Sequence, residues 1–237
     1  MRQTISQPGG LKGQGRRIAL TRIAAGLAFG LCRPAAAGAY DDFIRALQID
    51  DIQTLHRLQR LGFDLNTLDE NGLPPLLLAL RRDSLKAAEF LVEQPGFNLD
   101  AVNANDENAL MIAALRGHAR LLRQLLQQDA EPNKPGWTPL HYAATYPGAA
   151  SVEMIELLLE ASAYIDAESP NGTTPLMMAA RYGHRDAVLA LIDAGADVAL
   201  RNQQGLSALE FALRADRRDV ADLIARALRA KLGPPSW

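Results

Sequence analysis

The chain predicts an all-α repeat solenoid, a stack of helix-turn-helix pairs, and three observations carry that prediction. A short motif returns about every 33 residues from Phe43 to Leu209, and a fixed period of that length means stacked supersecondary units rather than one irregular domain. Its best copies, Thr138-Pro139-Leu140-His141-Tyr142-Ala143-Ala144 and Thr174-Pro175-Leu176-Met177-Met178-Ala179-Ala180, begin with helix-start chemistry. Threonine offers a hydroxyl to an orphan N–H of the first turn, and proline follows where no N–H is needed. Finally, each copy leads into a second apolar helix and then a stop or loop, as at Gly195-Ala196-Asp197, where glycine suits a left-handed cap.

Aligned on the motif leucine, the units register at Phe43, Leu76, Leu110, Leu140, Leu176 and Leu209, with steps of 33, 34, 30, 36 and 33 residues. The unit over about 40–68 lacks the motif and reads as a cap, Asp41 to Leu47 followed by Ile52 to Leu61. The unit over 69–102 ends with one extra residue around Pro95. The unit over 103–132 is the weakest copy: Asp106 stands for the glycine of the finger loop, and Asn108-Ala109 for Thr-Pro. That degradation reads either as a soft point or as a specificity feature. The unit over 133–168 has three residues missing from its finger, Glu131 to Gly136, and three extra between its helices, Pro147 to Ser151. All these changes fall in connections, where length alters closure entropy little. In this unit Leu140, Ala143 and Ala144 share one face, and the second helix, Val152 to Leu159, turns Met154, Ile155, Leu158 and Leu159 inward. The unit over 169–201 repeats the plan with Gly183-His184 and then Ala187, Val188, Leu191 and Ile192. The unit over 202–228 has a charged second helix, the polar outer face that a terminal repeat needs, and residues 229–237 read as a C-terminal tail, frayed over Gly233 to Trp237.

The Thr-Pro-Leu-His-x-Ala string, with its weaker copies and near-constant register, resembles the ankyrin repeat over Tyr40 to Leu228. The resemblance implies helix pairs joined by β-hairpin finger loops, with Asn71-Gly72 and Asn171-Gly172 as turn residues. It implies that His141 braces a finger by hydrogen bonding and that His118 and His184 hold the Gly-His position between helices. It also implies binding of a protein partner on the concave face, through fingertips and first helices.

Residues 1–39 hold six basic side chains and no Asp or Glu, then an apolar run from Ile18 to Leu31 and the small stretch Ala35 to Ala39. This is the order of a secretory signal peptide, with cleavage expected after Ala39 and a periplasmic or secreted product. The run is short for a membrane span. The flanks of Arg16-Arg17 fit the twin-arginine pattern poorly, and Leu31 is too large before Cys32 for a lipoprotein site. Without the leader, 198 residues remain, with 19 basic side chains against 27 acidic ones and no cysteine. That rules out a disulfide framework and argues against nucleic acid as the main partner.

No metal-ligand, nucleophile-elbow or phosphate-loop spacing occurs. The four histidines, His56, His118, His141 and His184, fall about one per repeat rather than at ligand spacing. No cofactor, no metal and no catalytic residue are expected. Carried by register, the concave face should present Arg81, Arg82, Arg116, Arg181 and Arg214 together with Trp137, Tyr142, Tyr146 and Tyr182. Arginine with aromatics is the composition of interface hot spots, and arginine forks suit an acidic segment. The plainer account of these arginines is that a cation at a helix C-terminus complements the dipole. The expected function is non-enzymatic: a monomeric binding module that scaffolds or protects another exported protein. The alternatives are an inhibitor or immunity-type factor that blocks an exported enzyme, and a host-targeted effector.

Overall fold

The structure, a computed structural model, describes residues 33–232. Twelve helices follow in pairs: α1 (Arg33–Ile49) and α2 (Ile52–Arg60), α3 (Pro75–Arg81) and α4 (Leu85–Val92), α5 (Ala109–Arg116) and α6 (Ala119–Gln127), α7 (Pro139–Thr145) and α8 (Ala150–Glu160), α9 (Pro175–Tyr182) and α10 (Arg185–Asp193), α11 (Ala208–Arg214) and α12 (Arg218–Leu232). Odd-numbered helices pack on one another in chain order, and even-numbered helices form a second layer behind them. Between the two terminal ones, α1 and α12, every helix is too short to be stable alone, so the fold rests on the apolar seam between layers and neighbours.

The seam shows why the motif has its composition. Leu140 and Leu176 are buried at the start of their helices, and the Ala-Ala pairs at 113–114, 143–144 and 179–180 are fully buried. Alanine brings neighbouring helix backbones close without an unfilled gap. Gly183 continues that logic: a Cβ there would collide with the Ala144 carbonyl oxygen of the preceding unit. In α8, Met154, Ile155 and Leu158 are buried while Leu159 is only partly so.

The helix starts use what each unit has. Thr174 accepts from the Met177 N–H at 3.4 Å. In the degraded third unit, Asn108 takes an extended conformation and accepts from the Met111 N–H at 3.0 Å, so the cap survives loss of Thr-Pro.

The fingers are tight turns, with no strand among the described residues. In four of them one backbone pair closes the turn, as in Ser169 N–H to Thr173 O at 3.0 Å with Gly172 N–H to Ser169 O at 2.8 Å. The fourth finger, 131–137, lacks such a pair. Behind the fingers a polar ladder links successive units: Asn66, Asp100, Asn133 and Asp166 accept from the backbone N–H of Asn98, Glu131, Tyr164 and Asp197 at 2.8–3.0 Å. The reading of the chain missed this ladder, although short polar residues at one register position are its visible signal.

Two expected boundaries meet continuous helix. The leader lies outside the described residues except for its last part, and α1 runs unbroken across the Ala39–Tyr40 junction. The tail expected from 229 is helical up to Leu232, because Arg229, Ala230 and Lys231 favour helix and Lys231 pairs with Asp197 at 2.5 Å.

Candidate protein-binding face

Thr138 and His141 set the centre of the array. His141 is completely buried. Its Nδ1 accepts from the Thr138 N–H at 3.2 Å and lies 2.9 Å from the Thr138 hydroxyl, while Nε2 stands 2.9 Å from the Thr173 carbonyl of the next finger. These partners require the neutral tautomer with the proton on Nε2. Burial lowers the His141 pKa to about 4, against the opposing pull of the Thr173 carbonyl. The imidazole is therefore a neutral strut between units. Trp137 covers it edge-on, with ring centroids 5.1 Å apart.

The other aromatics are largely committed within the molecule. Tyr142 is half-buried and donates its hydroxyl to Glu107 Oε1 at 2.9 Å across to the third finger. Burial, and then Glu107, push its phenol well above the ordinary value. Tyr146 lays its ring over the bare backbone of Gly117 and Gly148, where a Cβ would clash with it. Its carbonyl accepts from the His184 N–H at 3.3 Å. Of the four aromatics expected on the concave face, Tyr182 is the exposed one, at 49%, and Arg181 stacks on it at 4.9 Å.

The arginines divide. Arg116 is bound to Asp83 of the preceding unit, with both carboxylate oxygens at 2.9 Å, and His118 reaches the same carboxylate at 3.3 Å. That arginine is an inter-unit clasp rather than a free contact. Arg81, Arg82, Arg181 and Arg214 are exposed and form no ion pair among the described residues. The structure thus sets the half-buried Trp137 and Tyr142 beside the buried His141, and it places Arg81 and Arg82 together at the other end of the face. Arg45, on α1, joins them there, a residue the sequence reading passed over because the capping unit lacks the motif.

A depression of about 720 Å³ opens on this face between α1, the second finger and the end of α3, and a smaller one of about 280 Å³ adjoins it. Arg81 lines both. Among the described residues no group of three or more His, Cys, Asp or Glu is arranged to hold a metal ion, and no helix is long and apolar enough to cross a membrane.

The ankyrin repeat family model matches in three overlapping copies, over residues 43–135, 95–169 and 149–232. Neurogenic locus notch homolog protein 1 of Xenopus tropicalis is 31% identical over 180 residues, which cover 69% of this chain and 7% of that protein. Human transient receptor potential cation channel subfamily A member 1 is 35% identical over 193 residues, covering 77% of this chain and 17% of the channel. The chain thus spans only a small part of these relatives. Among solved structures, a chain from the complex of the Bd0816 predatory endopeptidase of Bdellovibrio bacteriovorus with immunity protein Bd3460 matches at a TM-score of 0.67 and 27% identity, over 78% of this chain and 97% of that one. With its period, its capped helix pairs and its finger turns matched from Phe43 to Leu232, the chain belongs to the ankyrin repeat family.

Proposed function

We propose that this protein is an inhibitor or immunity-type factor: a non-enzymatic ankyrin module that binds an exported enzyme and blocks it. The observation that carries the reading is the likeness, over nearly all of its matched chain, to the complex of an endopeptidase with its immunity protein. The charged and partly apolar inner face, with open depressions rather than a closed reaction cavity, supports a macromolecular ligand. A scaffold or protective partner would use the same face, so inhibition is the property that separates the two readings.

The test begins with the full chain as bait in its native cell, with crosslinked enzymes identified and purified. One equivalent of the protein should then abolish the activity of the captured enzyme. A captured enzyme that stays fully active in the saturated complex leaves the scaffold reading and removes this one. We also propose export, from the charge and apolarity order of residues 1–39. Intact mass of a periplasmic product beginning at or near Tyr40 is the expected result, and a full-length cytosolic product overturns it.

A further inference from the structure

We infer that Asn71-Gly72, at the tip of the second finger, is a site of spontaneous deamidation that turns a neutral rim of the inner face into an acidic one, while the fold protects the same dipeptide in the fifth finger. The inference rests on the chemistry of the dipeptide and its surroundings and is independent of the partner proposed above.

Among the asparagines, Asn71 and Asn171 alone are followed by glycine. In such a pair the glycine amide nitrogen can close on the asparagine Cγ, because the glycine has no side chain to crowd the approach. The N–Cγ bond forms as the Cγ–Nδ2 bond breaks, and the amide proton leaves with the Nδ2 group as ammonia. Water then opens the five-membered imide at either carbonyl and leaves aspartate or isoaspartate at that position. Water is the sole co-reactant.

The two copies share one turn and differ in what surrounds it. In both, glycine is left-handed, with φ 75° at Gly72 and 72° at Gly172, and its N–H closes the turn, at 3.0 Å to the Asp69 carbonyl and 2.8 Å to the Ser169 carbonyl. Ring closure therefore waits on local opening of the turn. Neighbours oppose that opening at the fifth finger. Asn171 Oδ1 accepts from the Ser169 hydroxyl at 2.6 Å and from the Thr173 N–H at 3.3 Å, and the Asn171 carbonyl accepts from the Gln203 N–H of the next finger at 3.0 Å. The Gln203 side chain also donates to the Pro170 carbonyl at 3.1 Å. None of these bonds has a counterpart at Asn71 among the described residues. Asn71 is exposed, its N–H donates to Asp69 Oδ1 at 2.8 Å, and the space where a Gly72 Cβ would stand is open.

The conversion has a place to act. Asn71 lines the larger depression beside Asp69 and Glu70, so a third carboxylate would join a depression that also holds Arg45, Arg81 and Arg82. The isoaspartate form adds one carbon to the backbone inside the turn. It would spoil the Asp69 N–H to Leu73 O bond at 3.0 Å that closes the finger.

The test holds the full chain in warm, mildly alkaline buffer and follows positions 71 and 171 by peptide mapping that separates asparagine, aspartate and isoaspartate. Position 71 should convert at least about tenfold faster, because each extra hydrogen bond on the closed fifth finger is worth roughly a factor of 2 to 10. In urea the two positions should convert at similar rates. Ser169→Ala, with its circular dichroism spectrum unchanged, should speed position 171 several-fold and leave position 71 as it was. Asn71→Gln should remove the first acidic species to appear on anion exchange. Equal rates at the two positions of the folded chain overturn the inference, as does conversion of position 71 in urea alone. A rate gap as large in urea as in buffer overturns it too, since local sequence rather than the fold would then set the gap.

Discussion

The third and fourth units exchange roles between sequence and structure. The third has the most degraded motif, yet its finger closes regularly: Asp106 N–H to Asn103 O at 3.0 Å and Asn103 N–H to Glu107 O at 3.0 Å, with Asp106 at φ 61° where other fingers have glycine. Aspartate tolerates that left-handed conformation better than most residues. The fourth has the full Thr-Pro-Leu-His motif, yet its shortened finger makes no closing pair and is held from outside. Lys134 reaches back to the Asp106 carbonyl at 2.8 Å and to its carboxylate, and Gly136 lies against Pro170 of the next finger. Motif strength reports on helix starts and the buried seam; finger geometry follows from loop length and from neighbours.

Four measurements would break or sharpen that contrast. The largest effect should come from the strut of the fourth unit. His141→Ala removes a buried ring and leaves the Thr138 N–H and the Thr173 carbonyl unpaired, and should lower unfolding free energy in urea by about 3 kcal/mol. If it costs under about 1 kcal/mol, the strut is not what holds the fourth finger to the fifth. The same residue sets a pH dependence. Its folded pKa of about 4 lies below the ordinary value of 6.5, so the unfolded chain binds the proton first as pH falls. Stability from this group is full above pH 6.5 and is lost as pH drops from there toward 4, by roughly 3 kcal/mol. A His141→Met variant should show a flatter stability profile between pH 6.5 and 4.5, and an unchanged slope would mean that another group carries it.

The two smaller effects belong to the third unit. Asn108→Ala deletes the cap of α5 and should cost about 1 kcal/mol, with faster amide exchange at Met111. No change would mean that the degraded start is held by packing alone. Asp106→Gly relaxes the left-handed residue but releases the exposed partner of Lys134, so the two changes should cancel to within about 0.5 kcal/mol. A loss well beyond that would make the Lys134 tether, rather than turn geometry, the main support of both fingers.

Much of the fold could be read along the chain because its information is local and repeated. Thr138-Pro139 and Thr174-Pro175 mark helix starts, the alanine pairs mark close approach, and the 33-residue register places each unit against its neighbour. The insertion at Pro147 to Ser151 could be placed between the helices for the same reason, although its last two residues, Ala150 and Ser151, begin α8. The binding face was less legible. Register alone put Arg116 beside Arg81 and Arg181 as one stripe, but Asp83, 33 residues earlier, takes Arg116 out of it. Trp137, Tyr142 and Tyr146 have the composition of an interface, while their partners His141, Glu107 and Gly117 draw them into packing.

The sequence by itself therefore determined the repeat class, the pairing of helices and the helix starts of the motif, since each depends on residues within one period. Tertiary structure decided which charges remain free, because whether an arginine is open or paired depends on a carboxylate that only stacking brings within about 3 Å. It also decided where the open groove lies: Arg45 and Arg81 come from different units, and only the packing of α1 against α3 gives them a common wall.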